Sequence, residues 1–205
     1  MGAVGVGKTT ILRAYLEKTD KLKTKIIYLF DSNISYHNLL RHIFGELGIF
    51  QDADDVCQMV NQLHKFLISE YREGKNIILL IDEAQNMPPD TLENLRMLSN
   101  LETATEKLIQ IVFSAQPEFE KTLNLYELKQ LKQRIAVKAV IRPLNREEGL
   151  LYITHRLKKA SDKEQIIFTT SALREIIRYS EGIPRVINVI CDNCLISAFG
   201  YGKKK

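Results

Sequence analysis

The chain has 205 residues with an ordinary globular composition, of which 45% are hydrophobic and 26% are charged. Its formal net charge is +4, and three of the positive charges are the terminal lysines 203–205, so charge alone indicates neither a nucleic-acid nor a membrane partner. No apolar run approaches the roughly 20 residues of a membrane helix, and the N-terminus lacks a signal peptide's apolar segment. We therefore expect a cytoplasmic protein.

Strand-like and helix-like patterns alternate through the first two thirds of the chain. Short runs rich in apolar and β-branched residues predict strands, and apolar residues at helical spacing predict helices. The predicted strands cover 25–30, 76–81, 108–113 and 136–141. The predicted helices cover 9–18, 34–47, 55–72, the stretch around 92–98, and a long amphipathic segment that ends near Arg134. This alternation predicts an α/β domain with a parallel sheet.

The pattern changes after Pro143, where only helical spacing remains. Residues 146–159, 170–180 and 184–199 each predict a helix. A sheet domain that is followed by helices alone indicates a second, smaller subdomain. We therefore predict a nucleotide-binding domain over residues 1–143 and a helical lid over residues 144–205.

The first motif is a phosphate-binding loop, which reads G-x-x-x-x-G-K-T from Gly2 to Thr9. Glycines allow the backbone to turn tightly and to bring N–H groups close to phosphate oxygens. The lysine is placed for the β- and γ-phosphates, and the threonine hydroxyl is placed for Mg²⁺. The predicted nucleotide-binding residues are Gly2, Gly5, Val6, Gly7, Lys8, Thr9 and Thr10.

The second motif is an acidic pair at the end of the apolar run "IILLIDEAQ". Asp82 and Glu83 follow five apolar residues directly, so they are expected at the carboxyl end of a buried strand, where ligands of α/β sheets bind. Asp82 is the candidate that holds Mg²⁺, directly beside Thr9 or through water. Glu83 is the candidate that polarises the attacking water.

Four further residues, two of them alternatives for one role, complete the candidate site. Gln116 and Ser114 follow the predicted strand 108–113, and either one can sense the γ-phosphate. Arg134 lies between a predicted helix and a predicted strand. Arg185 follows Pro184 at the start of the last predicted helix, where it can point from the lid into a nucleotide cleft.

With these motifs in place, the sequence resembles the AAA+ ATPases, and within them the secretion ATPases typified by general secretion pathway protein A. The resemblance covers nearly the whole chain. Its most specific stretches are "GVGKTT", "LLIDEAQNMPPDTLENLRMLSNLET", "AQPEF", "LKQRIAV", "RPLNREE" and "GIPRVINVICDN". Transposition helper ATPases and origin-recognition ATPases resemble it more distantly.

The resemblance implies a role for each candidate. Lys8 and Thr9 correspond to the Walker A lysine and threonine, and Asp82 and Glu83 correspond to the Walker B pair. Gln116, or Ser114 as the alternative, corresponds to sensor 1. Arg134 resembles an arginine finger that reaches a neighbouring subunit, and Arg185 resembles the sensor 2 arginine.

The family resemblance also implies cofactors and partners. We expect ATP and Mg²⁺, a homo-oligomer with the finger acting in trans, and secretion or envelope partner proteins. Longer relatives carry a membrane segment, which would place such a parent at the cytoplasmic face of the inner membrane. The alternatives are a DNA-associated, transposition-helper-type ATPase, which the near-neutral body disfavours, and a nucleotide-binding module without activity.

One departure from the family motivates the second alternative. Relatives carry a strand before the phosphate loop, whereas only Met1 precedes the loop in this sequence. That strand would be central in the sheet and would supply a full set of ladder hydrogen bonds. We therefore expect a loop that is weakly held in this chain.

Overall fold

The computed structural model describes residues 1–50, 54–160 and 167–202, which form two compact units. The sheet unit consists of Met1 together with Thr9–Ala139. The helical unit consists of Gly2–Lys8 together with the described residues from Val140 onward. The phosphate loop and the C-terminal helices therefore belong to one unit, and the strands belong to the other.

The sheet unit contains a three-stranded parallel sheet. Its strands are β1 (Thr24–Leu29), β2 (Asn76–Ile81) and β3 (Gln110–Phe113), and they lie in the order β1-β2-β3. Leu29, Ile81 and Phe113 lie opposite one another in the register, so all three strands end at the same edge. The residues that follow the strands are thereby brought together at this edge.

Burial of the strands follows their sequences. Every residue of β2 after Asn76 is buried, as expected for a continuous apolar run in the middle of a parallel sheet. β3 alternates exposed and half-buried residues, and the shorter strand 110–113 replaces the predicted 108–113. The sheet core is extended by buried apolar residues of the flanking helices, including Leu39, Ile43, Met59 and Leu63.

Six α-helices are described in the first part of the chain, and their starts follow ordinary capping chemistry. Ser35 and Asp55 accept hydrogen bonds from backbone N–H groups three residues on and begin the second and third helices. Gly48 ends the second helix with a φ of 68°. The helices are α1 (Lys8–Lys18), α2 (Tyr36–Leu47), α3 (Val56–Arg72), α4 (Pro89–Leu98), α5 (Phe119–Leu123) and α6 (Lys129–Arg134).

The predicted long helix that ends near Arg134 is wrong as one element. It is divided into α5, a short 3-10 turn at Tyr126–Leu128, and α6. Leu125 adopts an extended backbone with ψ of 144°, which interrupts the helical hydrogen bonds. The amphipathic pattern was nevertheless informative, because Leu123, Leu128 and Leu131 are all buried.

The predicted strand over residues 136–141 is also wrong. The segment has no strand, and it contributes a single parallel bridge between Gly2 and Ile141. Residues 136–140 are exposed. A strand requires a neighbouring strand to satisfy its backbone, and among the described residues the backbone of this segment has only that bridge and a 2.7 Å hydrogen bond from the Met1 ammonium to the Ala139 carbonyl.

The helical unit packs around its own apolar core. Its helices are α7 (Arg146–Ala160), α8 (Thr170–Ser180) and α9 (Pro184–Gly200), close to the three predicted helices. The buried core residues are Ile153, Phe168, Ile176, Ile177 and Ile187. Gly182 makes the turn before α9 with φ of 73°, and a Cβ there would lie 1.9 Å from the Leu144 carbonyl oxygen.

The predicted fold class, a P-loop α/β fold with a parallel sheet followed by helices alone, is confirmed. Across the residues described by the structure, none of the helices could span a bilayer.

Candidate functional site

Asp82 is held at the carboxyl end of β2 by three donors. Its Oδ2 atom accepts hydrogen bonds from the Thr9 hydroxyl and from the Tyr28 hydroxyl, both at 2.9 Å. Its Oδ1 atom accepts a hydrogen bond from the Glu83 backbone N–H at 3.0 Å. Asp82 is buried, so these bonds fix the carboxylate in one orientation. The structure thus joins Thr9 and Asp82, which are 73 positions apart in the sequence.

The same contacts set the protonation states of this cluster. Burial acts to raise the pKa of Asp82, but hydrogen bonds from nearby hydroxyls and the Glu83 N–H outweigh it and hold that pKa below its ordinary value. Burial and the bond to Asp82 raise the pKa of Tyr28 to about 12. Asp82 is therefore an anion at neutral pH, and Tyr28 remains a protonated donor.

Glu83 lies next to Asp82 in an unusual backbone conformation. Its φ of 49° and ψ of 40° fall in the left-handed region, which costs a non-glycine residue about 1 kcal/mol. The buried hydroxyl of Ser32 donates a 2.7 Å hydrogen bond to the Glu83 carbonyl and supports this conformation. The turn directs the chain away from the sheet immediately after the acidic pair.

The Glu83 carboxylate is bound by two glutamine side chains. The Gln116 Nε2 group donates to Glu83 Oε2 at 2.9 Å, and the Gln85 Nε2 group donates to the same oxygen at 2.6 Å. Gln116 follows β3 and Glu83 follows β2, so the common edge of the sheet accounts for their meeting. Of the two predicted γ-phosphate sensors, Gln116 is thus the one that contacts Glu83.

Ser114 occupies a different position at this edge. Its hydroxyl is buried next to Asp82 and helps to lower the pKa of that carboxyl, although the geometry of a full hydrogen bond is not met. Thr9, Asp82 and Ser114 therefore present only oxygen atoms. Mg²⁺ prefers oxygen ligands of this kind. The buried Ser114 hydroxyl lacks a full hydrogen bond, so it can bind a further polar partner.

The predicted phosphate loop lies in the helical unit. Gly5 and Gly7 have φ of 80° and 98°, which only glycine adopts readily. A Cβ on Gly5 would lie 2.9 Å from the Cβ of Arg185, so the loop packs against the start of α9. Val6 is buried. Gly2 bridges to Ile141, as described above.

Lys8 is buried, and its ammonium group bonds to its own loop. Nζ donates to the carbonyl oxygen of Gly2 at 2.9 Å and to that of Ala3 at 3.1 Å. These two oxygens compensate the lysine charge in the structure. Phosphate oxygens are stronger acceptors of the same kind, so the lysine can exchange one set for the other.

The two predicted arginines are placed differently. The Arg185 backbone N–H donates to the Gly5 carbonyl at 3.2 Å, so this residue is tied to the phosphate loop within the helical unit. Arg134 is the last residue of α6 in the sheet unit and is exposed. Thr10 is also exposed, in the first turn of α1. Their roles in nucleotide chemistry remain predictions.

Three residues of the cluster were not predicted from the sequence: Tyr28, Ser32 and Gln85. Gln85 stands inside the quoted "IDEAQ" stretch, and its polar side chain directly after the acidic pair was an available signal. Tyr28 follows two isoleucines in β1, one residue before the end of the strand, which is a weaker signal. Ser32 belongs to a loop, and nothing in its sequence context indicates burial.

Comparisons with known proteins agree with this architecture. The family described as "AAA domain" matches residues 1–123. General secretion pathway protein A of Aeromonas hydrophila is 39% identical over all 205 residues, and the chain spans 37% of that relative's length.

Solved structures show the same fold at low sequence identity. Cdc6p of Pyrobaculum aerophilum matches with a TM-score of 0.68 at 21% identity, over 100% of this chain and 56% of that one. The ORC2 protein of Aeropyrum pernix, solved as ADPNP–ADP complexes, matches with a TM-score of 0.68 at 16% identity, over 98% of this chain and 57% of that one. With the family match covering more than half of its length, the chain belongs to the AAA domain family.

Proposed function

We propose that this chain binds ATP and hydrolyses it in a Mg²⁺-dependent reaction. The observation that carries the proposal is the pair of contacts at one sheet edge: the Thr9 hydroxyl on Asp82 at 2.9 Å, and the Gln116 amide on Glu83 at 2.9 Å. The first pair offers oxygen ligands that would suit Mg²⁺, and the second offers groups that would orient a water molecule. Phosphoryl transfer depends mainly on such positioning and on charge stabilisation.

Each residue would have its own part in the proposed reaction. Thr9 and Asp82 would hold Mg²⁺, which neutralises charge on the phosphates. Glu83 would accept a proton from the attacking water, and Gln116 would orient the γ-phosphate or that water. Gly2, Gly5, Val6, Gly7, Lys8 and Thr10 would contribute to the nucleotide site. Arg185 would contact the nucleotide from the start of α9.

The test is phosphate release from ATP by the full chain, measured against the concentration of free Mg²⁺. We expect release that requires Mg²⁺ and that falls on the order of a hundredfold in Asp82→Asn, because the amide removes the negative charge that holds the cation. Asp90→Asn, at an exposed acid in α4, is the matched control. Metal-independent release, or equal rates in Asp82→Asn and the control, would contradict the proposal.

We further propose that the active form is an oligomer in which Arg134 acts on the ATP of a neighbouring copy. Arg134 is exposed at the end of α6, and an exposed guanidinium is available to a partner subunit. Sedimentation with and without a non-hydrolysable ATP analogue tests the assembly. A chain that remains monomeric at all concentrations while it hydrolyses ATP would remove this part of the proposal.

The cellular role that we propose is support for a secretion apparatus in the bacterial envelope. Its basis is the 39% identity to General secretion pathway protein A of Aeromonas hydrophila. The test is a graft of this chain in place of the matching segment of that relative, with secretion measured in the host. We expect the graft to restore secretion and a Lys8→Ala graft to fail. Equal outcomes for the two grafts would contradict the role.

A further inference from the structure

The Gln85 side chain connects two residues of the candidate site. It lies in the 3-10 turn Ala84–Asn86 that directly follows the acidic pair. Its Nε2 group donates to Glu83 Oε2 at 2.6 Å, and its Oε1 atom accepts the Gln116 backbone N–H at 3.0 Å. The Gln116 side chain returns to the same Glu83 oxygen at 2.9 Å. The three residues therefore form a closed ring of hydrogen bonds.

The chemistry of the two partners fixes the orientation of the Gln85 amide. The Glu83 carboxylate only accepts hydrogen bonds, and the Gln116 N–H only donates them. The amide must therefore point its NH₂ group to the carboxylate and its oxygen to the N–H. Because a glutamine carries both functions on one planar group, it satisfies both neighbours at once.

Gln85 also continues the hydrogen-bond ladder between β2 and β3 beyond the ends of these strands. The Ser114 N–H donates to the Ile81 carbonyl at 2.8 Å, and the Ala84 N–H donates to the Ser114 carbonyl at 3.0 Å. At the next step the Gln85 side-chain oxygen takes the place of a backbone carbonyl and accepts the Gln116 N–H. The segment after β3 is thus hydrogen-bonded to the turn that follows Glu83.

The backbone around Glu83 is held independently of these amides. The Ser32 hydroxyl donates to the Glu83 carbonyl, and the Glu83 N–H donates to the Asp82 carboxylate. Gln85 and Gln116 therefore act on the carboxylate, whose position the backbone alone does not determine. A residue that binds both the Glu83 carboxylate and the Gln116 backbone keeps the distance between these two groups constant.

We propose that Gln85 is a positioning residue of the ATPase site. It holds the Glu83 carboxylate and the Gln116 backbone at a fixed distance and orientation, so that these two residues act together. This inference rests on the proposed ATPase function. Gln85 itself transfers no proton and binds no phosphate in this account; it acts through its two partners.

Two substitutions separate the two hydrogen bonds. Gln85→Ala removes both of them. Gln85→Glu is nearly isosteric and keeps an oxygen for the Gln116 N–H, but it replaces the donor to Glu83 with a second carboxylate. Asn86→Ala, at the exposed neighbouring residue of the same turn, is the matched control.

The first measurement is hydrogen exchange of the Gln116 amide in the nucleotide-free protein. We expect exchange on the order of tenfold faster in Gln85→Ala, and exchange near the wild-type rate in Gln85→Glu and Asn86→Ala. Unchanged exchange in Gln85→Ala would overturn the inference, because the Gln116 backbone would not depend on Gln85.

The second measurement is ATP turnover together with ATP affinity. We expect kcat to fall on the order of tenfold in Gln85→Ala and at least as far in Gln85→Glu, with the dissociation constant for ATP within about twofold of wild type. Wild-type kcat in Gln85→Glu, or an equal loss in Asn86→Ala, would overturn the inference. Absence of hydrolysis by the wild-type chain would instead overturn the proposed function, and the exchange contrast would still decide whether Gln85 couples its partners.

Discussion

The two compact units satisfy their polar groups in different ways. At the edge of the sheet, side chains from distant parts of the sequence bind one another: Thr9 to Asp82, and Gln116 to Glu83. In the phosphate loop, the Lys8 ammonium binds carbonyl oxygens only five and six residues away. The first arrangement joins the segments after β2 and β3 to each other and to α1, whereas the second is local.

This difference separates side chains that the folded sheet unit already orients from a lysine whose present partners are backbone carbonyls of its own loop. The Asp82 and Glu83 carboxylates are oriented by donors from α1, from β1 and from the segments after β2 and β3, so they need no ligand to find their positions. The Lys8 charge is compensated by carbonyl dipoles, which a phosphate group can replace. Variants of the two regions should therefore fail in different steps of the proposed ATPase reaction.

The largest expected effect is that of Lys8→Ala on binding. Removing the ammonium removes the charge that the phosphates of ATP would meet, so we expect binding of a fluorescent ATP analogue to be lost. The sheet-edge cluster is built without Lys8, and the thermal stability of the sheet unit should be retained. Lys18→Ala, at the other end of α1, is the control, and tight analogue binding by Lys8→Ala would contradict this account.

Arg134→Ala should affect turnover rather than binding. If this side chain acts on a neighbouring copy, we expect a loss of about a hundredfold in the rate of hydrolysis. Mixing Arg134→Ala with Lys8→Ala should then restore activity, because a Lys8→Ala subunit supplies the arginine to the intact site of its neighbour. Mixtures that show only the sum of the two residual rates would exclude action in trans.

Gly182→Ala tests the packing of the turn before α9 within the helical unit. A Cβ at this position meets the Leu144 carbonyl at 1.9 Å, and the φ of 73° disfavours any side chain. We expect a loss of about 3 kcal/mol in the free energy of unfolding of this unit, measured by denaturant titration. Gly200→Ala is the control, since no atom lies within 4 Å of a Cβ there. Equal stability of the two variants would contradict the packing described.

Tyr28→Phe should produce the smallest effect. It removes one of the two hydroxyl donors to Asp82 Oδ2 and leaves the Thr9 donor in place. We expect the Mg²⁺ concentration for half-maximal ATP binding to rise about threefold, measured by titration with Mg²⁺. Tyr126→Phe, at a residue that is 92% exposed, should leave it unchanged. A Tyr28→Phe protein with the wild-type Mg²⁺ requirement would show that Thr9 and the Glu83 N–H orient Asp82 without the Tyr28 hydroxyl.

The sequence was most informative where a local pattern determines the structure. The apolar run before Asp82 and Glu83 predicted both the buried strand β2 and the placement of the acids at its end, because only a two-sided burial environment tolerates such a run. The same reasoning placed Gln116 beside the end of β3. The glycine pattern of the loop likewise predicted backbone conformations that other residues avoid.

The remaining features depend on partners that a local pattern does not specify. Residues 136–141 carry a strand-like composition, yet a strand forms only where a neighbour completes the ladder. The contact of Tyr28 with Asp82 depends on where each side chain points in the folded sheet. The contacts of Gln85 depend on how its side chain points toward Glu83 in the same turn and toward the distant Gln116. Such directions follow from the tertiary structure, so residue type alone did not identify them.

The most direct test of the account is a comparison of wild type with Glu83→Gln, in which ATP binding and Mg²⁺-dependent phosphate release are measured in the same samples. We expect both proteins to bind ATP with similar affinity and only the wild type to release phosphate at a measurable rate, because the amide cannot accept a proton from water. Phosphate release by Glu83→Gln at the wild-type rate would contradict the account and would assign the proton to another group.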